Sequence, residues 1–446
     1  MGFVIISAVT AENGLNDSPA GQSGAGSFWH SGDCTDGLTV SHRRNPAPTR
    51  QIGCCVKAQV RRCKPEREHG CVWFACIVIR SVKGACVKVR VAVVGLGKMG
   101  LSHLSMIRVH PNVDIAAVCD TSKILLSIME KKTGIACYSD VNQMMNDTKP
   151  DAVLIATPSR HHESLVRLAL ENAAHVFCEK PFCLNWASSN ELAALAESKG
   201  LINQVGYHYR FVAAFREMKR LLSLGAIGTV SHVLAEAYGP VVLRPKGKSW
   251  RSKKEEGGGC LYDYAAHPIN LLGWFFGRPS SISGTVINTV FSDDTDDEVY
   301  GTMRFGSGPS AQISVNWSDE SYRKMTVKMT AWGTAGKLYA DRQEFHAFLR
   351  NESPQVDGYT KGWNIRYTTE LTDPVWFYVR GEEYSAQLDY FIQCILAGER
   401  DNLNSFASAA ETDYALALMT EDATQGRVTS AVPSPVLARK KSFFRG

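Results

Sequence analysis

The sequence offers little that would tie the chain to a metal, a membrane or a nucleic acid. It has 13 cysteines in 446 residues, yet no Cys-x-x-Cys pair and no Cys/His spacing of the kind a zinc site needs, so no metal is expected. Seven of them (Cys34, Cys54, Cys55, Cys63, Cys71, Cys76 and Cys86) crowd into the first 86 residues. The other six are scattered at apolar positions, Cys119 for example, where a free thiol behaves as a small buried hydrophobe; the body reads as reduced and intracellular. Long hydrophobic runs are missing too. Cys71 to Ile79 is only nine residues, too short to cross a bilayer as a helix. The opening run Phe3 to Val9 has no basic residue before it, unlike a secretory signal. A cytoplasmic protein with no membrane partner is expected. Finally, there is no excess of one charge in the body. Residues 1–86 hold ten Lys/Arg against six Asp/Glu, and the rest holds 39 against 38, so no clustered positive surface for a nucleic acid is expected.

What is present reads as a soluble globular protein. Hydrophobic residues make up 44% and charged residues 21%, and the length allows two domains, each with a sizeable core. Residues 1–86 mix Gly/Ser/Pro-rich stretches with a basic cluster (Arg61, Arg62, Lys64, Arg67) and show no sustained period. They are expected to be a disordered extension, or sequence upstream of the true start, with Val87 opening the folded body. From Val89 the β-branched run Val89–Val94 leads into glycines, a helical stretch follows from about Ser102 to His110, and Asp114–Asp120 reads as a second strand. Ala152–Ala156 and His175–Cys178 read as further strands, with helical periodicity over Glu163–Asn172 and Trp186–Ser198. Strands alternating with helices predict a parallel, doubly wound sheet over residues 87–205. Further on, Ala311, Ile313, Val315 and Trp317 alternate with polar neighbours, as do Met325, Val327, Met329 and Ala331. Period-2 runs of this kind predict a mostly antiparallel sheet with one buried face. Residues 206–430 are assigned to this second α/β domain, with helical periodicity returning over 382–424, and residues 431–446 to a loose basic tail.

The chemistry-bearing residues fall at strand ends. Gly95-Leu96-Gly97-Lys98-Met99-Gly100 sits between a strand and a helix, and Asp120 ends the next strand 20 residues later. Glycines there permit a tight turn and let a pyrophosphate approach the helix N-terminus. Asp120 is placed to accept hydrogen bonds from the ribose hydroxyls of NAD and to repel the 2′-phosphate of NADP. Lys123 close by could still receive that phosphate, which leaves NADP open. Thr157 and Pro158, with His162 just beyond, end the third strand, where a crevice forms, although a plain turn would use the same residues. Glu179-Lys180-Pro181 ends the fourth; its lysine is either a crevice donor to a developing alkoxide or half of a surface ion pair. After Gly257-Gly258-Gly259, Asp263 and His267 are four apart and would share one helix face. A carboxylate neighbour would orient the imidazole for proton transfer near neutral pH. A histidine beside Leu271, Leu272, Trp274 and Phe275 serves equally well as a core residue.

Taken in this order, the residues from about Lys88 to Gly426 resemble the family of glucose–fructose oxidoreductase and inositol dehydrogenase (Gfo/Idh/MocA). Glu179-Lys180-Pro181 and the Gly-Gly-Gly…Asp263…His267 segment carry the likeness most specifically, and Gly206 to Phe211 looks like the segment where the family's domains join. The resemblance implies a Rossmann domain, a C-terminal α/β domain with a large, mostly antiparallel open sheet, and a catalytic set of Lys180, Asp263 and His267. On this reading His267 moves the hydroxyl proton, Asp263 orients it, Lys180 stabilises the oxygen and Glu179 positions Lys180 or the cofactor. Gly95 to Gly100, Asp120, Thr157, Pro158, His162, Glu179 and Lys180 would hold NAD. His208, Arg210 and Trp250 are candidate substrate contacts. Asn270 departs from the pattern, since many members carry aspartate three residues after the histidine.

The implied function is hydride transfer between nicotinamide and a secondary alcohol or ketone of a sugar, sugar nucleotide or cyclic polyol, in a homodimer or homotetramer formed through the C-terminal sheet. The alternative is a non-catalytic NAD(P)-binding regulator of the same fold. A basic stretch, Arg244, Lys246, Lys248, Arg251, Lys253 and Lys254, could meet the phosphate of a nucleotide-linked sugar or be a solvated loop. Because residues 1–86 offer no periodic apolar face to dock, a chain starting at Val87 is expected to match the full chain in melting temperature and cofactor affinity. A loss of more than about 2 kcal/mol in urea unfolding would refute this.

Overall fold

The computed structural model describes residues 56–61, 76–81, 88–243, 250–306, 308–352 and 356–425. The chain divides into two units, Met1–Val87 and Lys88–Gly446. In the first, β1 (Val56–Arg61) and β2 (Cys76–Ser81) pair antiparallel, Val56 opposite Ser81. The sequence shows no sustained period that would signal this pair. The remainder of the expected 1–86 extension, and the expected tail over 431–446, lie outside the described residues.

The second unit opens on the parallel sheet. Its strands are β3 (Val89–Val94), β4 (Val113–Cys119), β5 (Cys137–Tyr138), β6 (Ala152–Ile155), β7 (His175–Cys178) and β8 (Asn203–Val205), in the order β5-β4-β3-β6-β7-β8. All neighbours are parallel. The order reverses between β3 and β6, so a crevice opens at the carboxyl ends of those two strands. A parallel sheet must be covered on both faces, and alternate residues of β3 go to different cores: Val89, Val91 and Val93 to one, Ala92 and Val94 to the other. The crossovers are α1 (Lys98–Ile107), α2 (Lys123–Thr133), α3 (Val141–Thr148), α4 (His162–Glu171) and α5 (Trp186–Ser198). Local signals set their ends. The Ser122 hydroxyl accepts from Leu125 N to start α2, and Gly134 at φ 66 stops it; the Asp140 carboxylate caps α3 in the same way.

α6 (Ala213–Ser223) leads into β9 (Val230–Tyr238), and α7 (Ala266–Phe276) precedes the remaining strands. These are β10 (Pro279–Asn288), β11 (Glu298–Phe305), β12 (Ser310–Asn316), β13 (Thr326–Gly333), β14 (Gly336–Ala340), β15 (Glu344–Leu349) and β16 (Gly362–Tyr367). They form one eight-stranded sheet, β10-β11-β12-β9-β13-β14-β15-β16, antiparallel except where β12 meets β9. The period-2 runs at 311–317 and 325–331 are β12 and β13 within two residues, and Ala311, Ile313, Val315, Trp317, Val327, Met329 and Ala331 are buried while Met325 is half-buried. After α8 (Thr368–Leu371) come α9 (Glu382–Ala397) and α10 (Phe406–Gln425).

One arrangement departs from a split at residue 205. Leu388, Phe391, Ile392 and Cys394 of α9 pack into the same core as Val89, Val91 and Val93 of β3, so the chain returns to cover a face of the first sheet. Meanwhile Phe406, at the start of α10, stacks on Phe182 with ring centroids 4.2 Å apart. Among the described residues no helix is long and apolar enough to cross a membrane.

Candidate active site

A cleft of about 1640 Å³ runs from the carboxyl ends of β3 and β6 to the eight-stranded sheet's domain. At its first end the glycines of the β3–α1 turn answer different needs. Gly95 has φ +89, and a Cβ there would fall 2.7 Å from the Ala156 carbonyl oxygen. A Cβ on Gly100 would fall 1.7 Å from the Gly95 carbonyl oxygen, so the helix can close on the turn only at glycine. Around Gly97 there is nothing within 4 Å, which leaves that backbone open to the cleft. α1 starts at Gly97 with no side-chain cap and no acidic residue in its first turn; its free N–H groups and dipole suit a diphosphate. Lys98 and Met99 line the cleft beside it. Asp120, also in the wall, accepts from Leu96 N at 2.6 Å and Ser122 N at 2.8 Å. Its carboxylate is therefore held in place with lone pairs to spare for ribose hydroxyls. These residues fit a dinucleotide.

Thr157 and Pro158 line the cleft, as expected. His162 does not. It is 1% exposed, with Nδ1 2.8 Å from the Pro181 carbonyl and Nε2 3.0 Å from that of Thr157. Its ring clasps the two strand-end loops together rather than facing a ligand. Leu96 and Gly100 are likewise buried beneath the turn.

At the other end Lys180 follows β7, and its peptide bond to Pro181 is cis. Its ammonium donates to Asp263 Oδ1 at 2.9 Å and to the Asp263 carbonyl at 2.7 Å. The other carboxylate oxygen, Oδ2, accepts from Arg251 Nε at 2.7 Å. Burial pushes the Asp263 carboxyl up, but the charges and hydrogen bonds of Lys180 and Arg251 outweigh it and bring it down to about 2. Behind Lys180, Glu179 is buried and bonded to His103 Nε2 at 2.6 Å. Burial raises that carboxyl, and His103 and Lys180 together pull it below its usual range.

His267 lies in the same wall, yet Asp263 does not bond it. Asp263 belongs to a π-helical turn, Leu261–Ala265, and His267 to the α-helix that follows. A turn wider than 3.6 residues rotates positions four apart off a common face, and both Asp263 oxygens are spent elsewhere. His267 instead packs edge-on to Tyr207, His208 and Tyr209, at centroid distances of 6.1, 5.1 and 5.0 Å, and its Nδ1 is buried without a partner. Burial and the Lys180 charge hold its pKa well below 6.5.

The glycine triplet serves backbone packing. A Cβ on Gly258 would fall 2.4–2.7 Å from the carbonyls of Trp250, Arg251 and Lys253, and one on Gly259, at φ +112, would fall 2.2 Å from Asp296 Oδ1. This closeness seats the 250–253 turn against Asp263. The basic stretch is thereby divided: Arg251 bonds Asp263, Lys253 bonds Glu256 at 3.0 Å, and residues 244–249 lie outside the described residues. Trp250 lines the cleft with the Arg251 guanidinium 4.7 Å from its ring centroid. His208 also lines it, stacked on Tyr384 at 4.4 Å.

Arg210, expected at the substrate, is instead structural. It is 3% exposed and donates to Asn270 Oδ1 and O, the Leu403 carbonyl and the Ser408 hydroxyl. Asn270, the departure from the family pattern, is its partner, away from the cleft. Sequence reasoning missed His103, Arg342, Arg380 and Tyr384. The last three line the cleft from the far end of the chain, and no local pattern marks them. His103 could have been suspected as a polar residue on the buried side of α1.

Residues 89–207 match the family model described as "Oxidoreductase family, NAD-binding Rossmann fold", and residues 215–339 match "GFO/IDH/MocA C-terminal domain". Among curated relatives, myo-inositol 2-dehydrogenase of Thermotoga maritima is 24% identical over 370 residues, covering 79% of this chain and 97% of that protein. The scyllo-inositol 2-dehydrogenase (NAD(+)) of Bacillus subtilis is 27% identical over 320 residues, covering 70% and 87%. Among solved structures, levoglucosan dehydrogenase in complex with NADH and levoglucosan superposes with a TM-score of 0.67 at 21% identity, covering 76% of this chain and 98% of that one.

The placement of Asp120 leads to a measurable expectation. Calorimetric titration should show NAD bound at least about tenfold more tightly than NADP, because a 2′-phosphate would meet that carboxylate. Asp120→Ala should erase the difference. Tighter NADP binding, or an unchanged preference in the variant, would contradict the assignment.

Proposed function

Because the chain belongs to the Gfo/Idh/MocA family of NAD-binding oxidoreductases, we propose that it oxidises or reduces a secondary carbinol carbon of a sugar, sugar nucleotide or cyclic polyol. The observation that carries this reading is the convergence of Lys180, Asp263 and His267 on the cleft that also holds the glycine turn and Asp120. NAD, when bound, supplies the hydride acceptor or donor. Gly95, Gly97 and Lys98 would hold its diphosphate and Asp120 its adenosine ribose. A non-catalytic regulator would have no need of the lysine and histidine together.

The protein's own groups divide the remaining work. Asp263, ionised far below neutrality, holds and aims the Lys180 side chain, so the ammonium can stabilise negative charge growing on the carbinol oxygen. His267, held neutral at pH 7 by burial and the Lys180 charge, is ready to take the hydroxyl proton in oxidation and to return it in reduction. It is held by aromatic packing rather than by a carboxylate. Glu179, fixed by His103, sits behind Lys180 and accepts from its backbone N–H at 3.2 Å.

In oxidation the base must be unprotonated, and burial with the Lys180 charge holds its pKa well below 6.5, so activity should persist through the pH range where a free imidazole gains its proton and fall only at more acidic pH. His267→Ala is expected to lower turnover by roughly 10²–10⁴-fold and to flatten that acidic limb, with NAD affinity nearly unchanged. Steady-state kinetics from pH 5 to 9 on a polyol that is turned over, with cofactor titration alongside, makes the check. Near wild-type turnover in the variant would remove the acid–base role.

Assembly through the C-terminal sheet is part of the proposal. The edge strand β16 carries Trp363, Ile365 and Tyr367 at 59%, 50% and 52% exposure, more apolar surface than a lone edge strand usually shows. Light scattering should report a dimer or tetramer, and Trp363→Glu with Ile365→Lys should dissociate it. A monomer at micromolar concentration would count against this.

A further inference from the structure

We propose that the substrate bears an anionic group, a carboxylate or a phosphate, which Arg251 receives with help from Arg323 and Lys324. The inference rests on the dehydrogenase reading and narrows it to a class of substrate.

The first observation is what Arg251 leaves unused. Its Nε is taken by Asp263 Oδ2 and its face lies over Trp250. Among the described residues the two terminal nitrogens have no hydrogen-bond partner, so four N–H donors remain on a side chain that lines the cleft and is 38% exposed. A guanidinium with its outer edge free is shaped for two parallel hydrogen bonds to a carboxylate or phosphate. Its place is also set. Arg251 and Lys180 bond the two oxygens of one carboxylate, so the free edge stands close to the ammonium that would hold the reacting oxygen. A group bound there belongs to the substrate, since the diphosphate of the cofactor has its own site at the start of α1.

The second observation is the balance of charge along the wall. Of its four carboxylates, Asp263 is matched by Lys180 and Arg251, and Glu179 is bonded to His103. Asp120 and Asp140 hold backbone N–H groups at the nucleotide end. Arg342 is taken by Glu383. Arg323 and Lys324, on the segment joining β12 to β13, face the cleft with no carboxylate partner among the described residues. The substrate half thus carries uncompensated positive charge, which concentrates anions in a cleft. A neutral sugar would leave these donors to water; an anionic one gains charge-assisted bonds.

The test uses sugars that differ in charge and little else: D-glucose, D-glucuronate and D-glucose 6-phosphate, and D-galactose with D-galacturonate. NADH formation is followed in one assay and quenching of bound NADH in another. An anionic member should exceed its neutral partner in kcat/KM by about 100-fold, and the uronate and phosphate arms tell which anion is preferred. The preference should shrink at about 0.5 M NaCl. Arg323→Gln with Lys324→Gln should raise KM for the anionic sugar about tenfold. Neutral sugars oxidised as well as their anionic partners would overturn the inference and leave the dehydrogenase reading standing. Anionic sugars that bind salt-dependently but are never oxidised would keep the anion site and overturn the dehydrogenase reading. Failure of every anionic member to bind would overturn the inference.

Discussion

The candidate site hangs on one buried carboxylate. Asp263 is 3% exposed and carries Lys180 on one oxygen and Arg251 on the other. Through it the end of a parallel strand, a π-helical turn and the 250–253 turn are held in one geometry. A buried carboxylate costs several kcal/mol to desolvate, and only close cations and hydrogen bonds offset that. The arrangement is therefore all or nothing: removal of either cation leaves the charge poorly matched. The same pairing sets the electrostatics around it. It fixes the lysine ammonium in place, and burial, together with that charge, keeps the nearby imidazole neutral.

The surroundings are organised to hold the clamp still. Asp413 of α10 accepts from the Cys183 backbone at 3.0 Å and from the Ser189 hydroxyl at 2.6 Å, anchoring the chain just after Pro181. Burial raises that carboxyl to about 7. His162 ties Pro181 to Thr157 from the other side. Each is a polar group enclosed by the fold whose hydrogen bonds join segments distant in sequence, which gives a loop the rigidity of the scaffold beneath it.

Much of the first domain was legible because its signals are local. Strand runs, the glycine turn and the carboxylate 20 residues on all lie within one βαβ unit, where chirality and packing leave few choices. Short strands such as β5 and β8 were not legible, being two and three residues long. Their existence depends on neighbours already in place. The assignments of His162 and Arg210 failed for a related reason: a polar side chain near a motif looks the same in sequence whether it meets a ligand or a backbone carbonyl.

By itself the sequence determined the fold class and the cofactor turn, since both rest on residue type at short, fixed spacing, whereas it offered Lys180, Asp263 and His267 as one set only through the resemblance to the family. Tertiary structure alone decided who touches whom. A π-helical turn took Asp263 away from His267 and gave it to Arg251, and a helix from residues 382–397 came back to roof the first sheet. Neither is encoded at short range. The π turn inserts one residue into the helical period, and α9 chooses its place by matching an apolar face to strands such as β3, about 290 residues earlier in the chain. Such choices are made by burial and charge pairing across the folded chain, which no window of sequence contains.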